Sequence, residues 1–168
     1  MTKTPEGLWV VRLGPGDVGL ARRTFAMMAE VFAEDDAPGA SRLSDAYLSR
    51  LLSRADFWAL AAVEERTGEP VGGLTAHALP MTREEAQELF LYDLAVREDR
   101  QRTGVGRALV GGLRKLAAAE GIGVVFVPAD DEDTHALDFY RAMGGEPQPV
   151  TIFTFDKRPG QKPSNSGR

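Results

Sequence analysis

The sequence predicts an α/β (α+β) domain built on a mixed, mostly antiparallel central sheet flanked by helices. Short apolar or alternating stretches are typical of strands, and other stretches repeat their apolar residues at the spacing of a helix. Along the chain the order is strand, two helices, three strands, helix, strand, helix, strand. A glycine-punctuated turn joins the third consecutive strand to the next helix, which favours a crossover at that point.

The first part of the chain begins with a strand expected over residues 7–13 and a helix expected over 17–33. Residues 34–43 are acidic and contain glycine and proline, so a loop is expected there. Ser44 is suited to cap a short second helix. The residues of that helix expected to face inward are Leu48, Leu51 and Leu52.

Three strands follow, over residues 57–63, 71–79 and 88–96, and turn-forming residues at 66–70 separate the first two. After the third strand, apolar residues at helical spacing predict a helix that ends near Gly121. This apolar stripe consists of Val105, Leu109, Leu113, Leu116 and Ala117.

The last predicted elements are a strand over 124–127, a helix over 134–143 and a strand over 150–155 that closes the sheet. Two glycines after the helix supply the positive φ that ends it. A single domain is expected over residues 1–156. Residues 157–168 are basic and rich in proline, glycine and serine, so they are expected to form a disordered tail.

The composition excludes several classes of protein. The 168 residues contain 43% hydrophobic and 27% charged side chains, as in an ordinary globular domain. No apolar run approaches the length of about 18 residues needed for a membrane span, and residues 1–7 lack the apolar core of a secretory signal. A cytoplasmic location is therefore expected. The absence of cysteine excludes disulfides and a covalent thiol intermediate.

Charge and histidine content narrow the range of partners. The net charge of −5 argues against nucleic-acid binding and makes a cationic small molecule the natural electrostatic complement. The two histidines, His77 and His135, are far apart in sequence and form no metal-binding motif. Neither a metal nor a membrane partner is expected.

The most informative segment is the glycine loop at residues 96–107, which follows an apolar strand and opens onto a helix. Backbone N–H groups at a helix start bind anions, and its two glycines have no Cβ to block a close approach. Arg100, Arg102 and Arg107 would add positive charge. The pattern predicts a pyrophosphate site, and the alternative is a plain glycine turn. The spacing differs from that of a Walker loop and of a dinucleotide-binding loop.

The spacing Gln-x-x-Gly-x-Gly, formed here by Gln101, Gly104 and Gly106, resembles the acyl-CoA loop of the GNAT acetyltransferases. The later run from Ala136 to Gly144 is similar to the Ala-x-x-x-Tyr-x-x-x-Gly helix of the same family. The two motifs stand in the family's order, with one helix and one strand between them. The resemblance implies the GNAT fold and an acetyl-CoA-dependent N-acetyltransferase.

Further segments within residues 8–156 resemble one branch of this family, the type I aminoglycoside 3-N-acetyltransferases. They include residues 92–96, before the glycine loop, and residues 127–133, before the last helix. The branch implies transfer of acetyl from acetyl-CoA to an aminoglycoside antibiotic, which gives resistance. The alternatives are a GNAT enzyme for another amine, such as a polyamine, amino acid or protein, and a non-catalytic acyl-CoA-binding module.

The resemblance also assigns the residues that hold acetyl-CoA. The glycine loop would hold the pyrophosphate, and the backbone of residues 94–96 would donate N–H groups to the thioester carbonyl, as an oxyanion hole does. The full set expected at the cofactor is Leu94, Ala95, Val96, Gln101, Arg102, Thr103, Gly104, Val105, Gly106, Arg107, Asp133, Ala136, Phe139 and Tyr140.

Two side chains are implicated in proton transfer. By resemblance, the Tyr140 phenol would protonate the departing CoA thiolate; the alternative is a core aromatic. Asp93 is a carboxylate inside an apolar strand, where burial without a purpose is costly. It is expected to bind or deprotonate the substrate ammonium, unless it is a structural acceptor or lies on a solvated face. Strand alternation places it on the opposite face from Phe90, Tyr92 and Leu94.

Four consecutive acids precede the last helix: Asp130, Asp131, Glu132 and Asp133. Beside an acyl donor they would pair with the ammonium groups of a polycationic substrate; the alternative is a solvated loop, since acids also favour a helix N-terminus. Asp133 is suited to the N-cap, whereas Asp130 is expected at the substrate. Asp35, in the acidic loop after the first helix, would line the opposite wall of the cleft or belong to a plain acidic loop.

The expected mechanism is direct attack of the amine in a ternary complex. An alkyl ammonium of the lysine type titrates at ~10.4 and must lose a proton before it attacks. The chain has no cysteine to carry an acetyl group. Asp93 or Asp130 would be the base and Tyr140 the acid. Members of the resembled family are often dimers, so a homodimer is one expected assembly.

Overall fold

A computed structural model of the chain describes residues 2–3, 7–32 and 42–155. The chain divides into two compact units, residues 1–128 and 129–168. Its helices and strands are β1 (Thr2–Lys3), β2 (Leu8–Arg12), α1 (Val18–Val31), α2 (Asp45–Leu52), β3 (Phe57–Glu64), β4 (Pro70–Pro80), β5 (Gln87–Val96), α3 (Val105–Ala119), β6 (Val124–Phe126) and α4 (Thr134–Ala142). None of the helices in the described ranges is long and apolar enough to cross a membrane.

The first unit is built on one sheet whose six strands follow the order β1-β2-β3-β4-β5-β6. Each neighbouring pair is antiparallel except β5 and β6, which are parallel because the crossover through α3 joins them. The predicted mixed, mostly antiparallel sheet is confirmed. The second unit contains helix α4.

Strands β3 and β4 form the centre of the core. Residues 57–62 of β3 and 70–76 of β4 are all buried, so both faces of the sheet are covered at this point. Antiparallel sheets with one solvated face show alternating burial instead. The covering elements are helices, since α1 and α3 both contact β4.

Two adjacent glycines allow both helices to approach β4 closely. A Cβ on Gly72 would lie 2.7 Å from the Val105 side chain on α3, and a Cβ on Gly73 would lie 2.6 Å from Thr24 on α1. Successive strand residues point to opposite faces, so α1 and α3 cover opposite faces of the sheet. A strand was predicted over residues 71–79, but no role was predicted for the two glycines.

The predicted helix starts agree closely with the structure. Helix α1 spans Val18–Val31, slightly shorter than expected. The Ser44 hydroxyl accepts a hydrogen bond from the Tyr47 N–H at 3.2 Å and so caps α2 as predicted. Helix α3 begins directly after Gly104 and buries most of the predicted apolar stripe.

The last predicted strand is not formed. Residues 145–155 are neither helix nor strand, and their large apolar side chains Val150, Ile152, Phe153 and Phe155 are exposed. The prediction was wrong because alternating apolar residues alone do not make a strand, which needs hydrogen bonds from a neighbour. The predicted tail at residues 157–168 lies outside the described residues.

Candidate active site

Strands β5 and β6 separate partway along β5. Strand β4 pairs with β5 as far as Val96, whereas β6 pairs only with residues 88–90. Within the described ranges, residues 91–96 therefore have a neighbouring strand on one side only. This open half of β5 contains Leu94, Ala95 and Val96, and an unpaired strand edge presents backbone N–H and C=O groups to a ligand. The predicted donation of N–H groups by residues 94–96 to the acyl donor is consistent with this geometry.

A β-bulge lies where the open half of β5 begins. Thr75 of β4 pairs with Asp93, but the next residue, Ala76, pairs with Leu91. Tyr92 is therefore an extra residue in β5. Bulges redirect side chains and occur frequently next to active sites.

The bulge changes the face on which Asp93 lies. Thr75 and His77 are two residues apart on β4 and share a face; Asp93 pairs with Thr75, and Phe90 pairs with His77. The Tyr92 ring also contacts the His77 ring, at a centroid distance of 5.6 Å. The prediction that Asp93 faces away from Phe90 and Tyr92 is wrong, because the extra residue interrupts the alternation.

The Asp93 carboxylate is half-buried and is oriented by a neighbouring hydroxyl. The Thr75 hydroxyl donates a hydrogen bond to Asp93 Oδ2 at 2.8 Å, and Thr75 is only 8% exposed. Among the described residues Oδ1 has no such partner, so it is available to a cationic ligand. Thr75 carries no signal in the sequence, because its contact with Asp93 depends on the strand register and on the bulge.

The glycine loop has left-handed backbone at two positions, Arg102 with φ 60° and Gly104 with φ 90°. A left-handed conformation is costly for a residue other than glycine, so Arg102 is strained in a way that is frequent at ligand sites. The step from left-handed Gly104 to helical Val105 directs successive N–H groups into a concave anion site, here at the N-terminus of α3. The loop therefore fits a pyrophosphate.

The arginines around the loop have different roles. Arg100 forms an ion pair with Glu64 at 2.5 Å, and both side chains are partly buried. Contrary to the prediction, Arg100 adds no net charge, because Glu64 neutralises it. The Arg100 guanidinium and the Thr67 hydroxyl hold the pKa of Glu64 below its ordinary value. Arg102 and Arg107 are exposed, and neither has an ion-pair partner within the described part of the chain.

Two other loop side chains fasten the loop to itself and to β5. The Gln101 amide donates a hydrogen bond to the Val96 carbonyl at 3.3 Å, and the Thr103 hydroxyl donates to the Arg100 carbonyl at 2.6 Å. These bonds fix the conformation of the loop and engage both side chains within the protein. The backbone N–H groups of the loop are therefore the groups best placed for the predicted contact with the cofactor.

In the second unit the four consecutive acids form an exposed turn before α4. Asp133 accepts a hydrogen bond from the Ala136 N–H at 2.9 Å, which confirms its expected N-cap position. Asp130 accepts from the Glu132 N–H at 2.9 Å within the turn. Substrate contact by Asp130, Asp131 and Glu132 stays a prediction. Asp35 lies outside the described residues.

Tyr140 is half-buried on α4, with its ring edge-on to Phe139 at a centroid distance of 5.1 Å. Burial raises the pKa of Tyr140 to about 12, and the Asp133 carboxylate adds to the shift. The phenol therefore stays protonated at physiological pH and is available as a hydrogen-bond donor. In the described ranges no three acidic or histidine side chains are grouped as metal ligands.

The chain matches a known family over most of its length. The model of the acetyltransferase (GNAT) family matches residues 25–144. No curated protein sequence matches the chain.

Solved structures with the same fold include proteins of known activity class. An aminoglycoside acetyltransferase from an uncultured soil metagenomic sample is 37% identical, with a TM-score of 0.82, and the match covers 90% of this chain and 99% of the other. A second one from such a sample, solved with trehalose, is 30% identical with a TM-score of 0.80, covering 91% and 99%. Its structure with sisomicin gives 29% identity, a TM-score of 0.72, and coverage of 90% and 97%.

Proposed function

The chain belongs to the GNAT acetyltransferase family, whose members use acetyl-CoA, and we propose that it acetylates the 3-amino group of an aminoglycoside. The observation that carries the proposal is the Asp93 carboxylate, held by Thr75 on the bulge at the start of the open half of β5. A carboxylate in that position suits a cationic amine that must meet an acyl donor. The similarity to aminoglycoside acetyltransferases over 90% of the chain supports this acceptor class.

The first unit provides groups that suit acetyl-CoA. The N–H groups of residues 102–107, at the start of α3, would hold the pyrophosphate, and Arg102 and Arg107 would add charge. The backbone of residues 94–96 would run along the pantetheine arm and donate hydrogen bonds to the carbonyl oxygen as negative charge develops there. When bound, acetyl-CoA supplies the acetyl group and a thiolate leaving group.

A carboxylate takes up the proton that the amine must lose. An acceptor of the lysine type is an ammonium ion at neutral pH, with a pKa of ~10.4. Asp93 would bind this ion and, with Asp130 as the second candidate, accept its proton directly or through water. The neutral nitrogen then forms a bond to the acetyl carbon while the carbon–sulfur bond breaks, and the electron pair of that bond stays on sulfur. The nitrogen loses its second proton as the amide forms, and this proton passes through water to the thiolate or to the solvent.

Tyr140 would stabilise the departing sulfur by a hydrogen bond. A phenol with a pKa of about 12 is a weaker acid than a thiol, which titrates at ~8.5, so complete proton transfer to the thiolate is unfavourable. A hydrogen bond from the neutral phenol avoids that cost and strengthens as charge develops on sulfur. No cysteine is present to carry the acetyl group, so the reaction passes through a ternary complex.

The role in resistance follows from the same chemistry. Acetylation converts a cationic amine of the antibiotic into a neutral amide and removes a charge from it. The acidic chain, with a net charge of −5, suits a polycationic acceptor. If the enzyme gives resistance, a host that expresses it should grow at higher aminoglycoside concentrations than the same host without it.

The test is release of free thiol from acetyl-CoA with a panel of gentamicin, sisomicin, kanamycin, spermidine and a lysine peptide. The expected result is saturable turnover with the aminoglycosides and little with the other two amines. NMR of the product should place the acetyl group on the 3-amino nitrogen. Turnover only with spermidine or the peptide would overturn the acceptor, and no turnover with any amine would indicate a non-catalytic CoA-binding module.

A further inference from the structure

A continuous row of aromatic rings crosses four neighbouring strands of the sheet. The contacts run from Phe57 to His77 at 5.4 Å, from His77 to Tyr92 at 5.6 Å, from Tyr92 to Phe90 at 5.5 Å and from Phe90 to Phe126 at 5.3 Å. Three contacts are edge-to-face and the last is stacked. We call these five residues the aromatic row. Such geometry holds each ring in a defined orientation.

The row runs from the core to an exposed end. Phe57 is buried at 8% exposure, whereas Tyr92 is 51% and Phe126 is 41% exposed. Scattered exposed aromatic residues need no explanation, but a contiguous exposed set marks an interaction surface. At this end Tyr92 and Phe126 are exposed, and Phe90, which contacts both, is half-buried; the three residues lie on strands β5 and β6.

The bulge brings this apolar surface next to a negative charge. In a regular strand Tyr92 and Asp93 would point to opposite faces, but here both lie on the face shared with Thr75 and His77. Asp93 is held by Thr75, and its other oxygen is available to a cation. The surface therefore combines flat rings with a single oriented carboxylate at their edge.

From this juxtaposition we infer that Tyr92, Phe90 and Phe126 bind the apolar C–H face of a saturated ring in the acceptor, while Asp93 binds the ammonium group on that ring. The inference rests on the proposed function and specifies its acceptor site. An aminocyclitol or amino sugar offers a C–H face and an equatorial amine on one rigid body. A linear polyamine carries ammonium groups but has no flat C–H face, and ordering its rotatable bonds costs conformational entropy. The aromatic row thus selects ring-borne amines.

Three variants of one residue test the inference: Tyr92→Phe, Tyr92→Leu and Tyr92→Ala. Tyr92→Phe is the matched control, since it keeps the ring and removes only the hydroxyl. The KM for sisomicin should stay near the wild-type value in Tyr92→Phe and rise about tenfold in Tyr92→Ala. Tyr92→Leu should resemble Tyr92→Ala, because it retains apolar area but no flat ring. The KM for acetyl-CoA should not change, and an unchanged KM for sisomicin in Tyr92→Ala would overturn the inference.

A second readout separates this inference from the proposed function. Selective saturation of the protein's aromatic protons should transfer to the ring C–H protons of bound sisomicin in the wild type, and less in Tyr92→Ala. If the wild type binds sisomicin without acetylating it, the proposed function fails, while this transfer still supports the aromatic site. Absence of transfer would overturn the aromatic site even if sisomicin is acetylated.

If Tyr92→Ala does not fold, Phe126→Leu replaces it in the kinetic test. An unchanged KM for sisomicin in Phe126→Leu would also contradict the inference.

Discussion

The orientation of Asp93 depends on one hydroxyl group. Thr75 is buried, and its hydroxyl bonds Asp93 Oδ2 at 2.8 Å, which fixes the direction in which the carboxylate meets a ligand. A buried hydrogen bond to a charged group is worth about 1.5–3 kcal/mol. We therefore propose Thr75 as a positioning residue, which would act on the acceptor through Asp93.

Replacement of Thr75 by valine should loosen the acceptor site and leave the acetyl-CoA site intact. Thr75→Val keeps the shape and removes the hydroxyl, so the KM for sisomicin is expected to rise about tenfold, while the KM for acetyl-CoA stays unchanged. Steady-state kinetics with each substrate varied in turn measure both constants. Thr75→Ser should restore the wild-type KM, and equal loss in the valine and serine variants would contradict a positioning role.

Tyr140 is expected to act in its neutral form over the whole working range of pH. Its pKa is raised to about 12, so the phenol ionises only far above physiological pH. Tyr140→Phe should lower kcat at least tenfold, with the KM for acetyl-CoA little changed, because the hydrogen bond to sulfur forms only as the bond breaks. Profiles of kcat against pH for both enzymes should show the same basic limb up to about pH 10. An unchanged kcat would remove Tyr140 from the mechanism.

At the scale of elements, the glycine pair of β4 decides how close the two helices lie to the sheet. Gly73→Ala would place a methyl group 2.6 Å from Thr24 and 2.8 Å from the Met28 sulfur. Such overpacking costs about 1–3 kcal/mol. Gly111→Ala is the matched control, since its Cβ would meet nothing within 4 Å and alanine favours a helix by about 0.5–1 kcal/mol. In urea unfolding, the free energy of unfolding should fall in Gly73→Ala and rise in Gly111→Ala. A change of the same sign in both variants would show that close packing at Gly73 is not the cause.

The ion pair between Glu64 and Arg100 anchors the 3-10 turn Glu98–Arg100, which precedes α3, to the end of β3. Because the folded-state pKa of Glu64 lies below its ordinary value of 4.5, the folded protein binds this proton less tightly than the unfolded chain does. The stabilisation is therefore present above that value and is lost as the pH falls through the folded pKa.

Glu64→Gln should accordingly lower the unfolding midpoint at neutral pH, and the difference from wild type should disappear as Glu64 becomes protonated in acid. It should also raise the KM for acetyl-CoA, because the glycine loop loses its anchor. The change in the unfolding midpoint is measured by urea unfolding at several pH values. The control is Glu85→Gln, which removes an exposed acid. A difference that persists unchanged into acid would argue against the ion pair as its cause.

At the scale of the whole molecule, periodicity predicts the elements better than it predicts their contacts. The helical stripe from Val105, the Ser44 cap and the three central strands follow from local patterns and are confirmed by the structure. The segment 150–155 has the pattern of a strand but lacks a paired neighbour, so it does not form one. Pattern alone does not supply the partner that a strand requires.

In the candidate site, too, local sequence predicts some features but not the contacts between distant residues. The glycine loop could be predicted because its residues are consecutive, and its backbone shape follows from glycine chemistry. Thr75 could not be predicted, since it meets Asp93 only through a strand register that an extra residue has shifted. The neutralisation of Arg100 by Glu64 likewise joins residues 36 positions apart. Long-range pairings of this kind are settled by tertiary packing rather than by local sequence.

We propose that this fold places the Asp93 carboxylate to receive the ammonium group of the acceptor. The most direct measurement is kcat/KM for sisomicin with wild type and Asp93→Asn, which keeps the side chain's size and removes its charge. Loss of one partner of a desolvated charge pair costs about 2–5 kcal/mol, so kcat/KM should fall about a hundredfold or more while the KM for acetyl-CoA stays constant. An Asp93→Asn enzyme with wild-type kcat/KM would contradict the account.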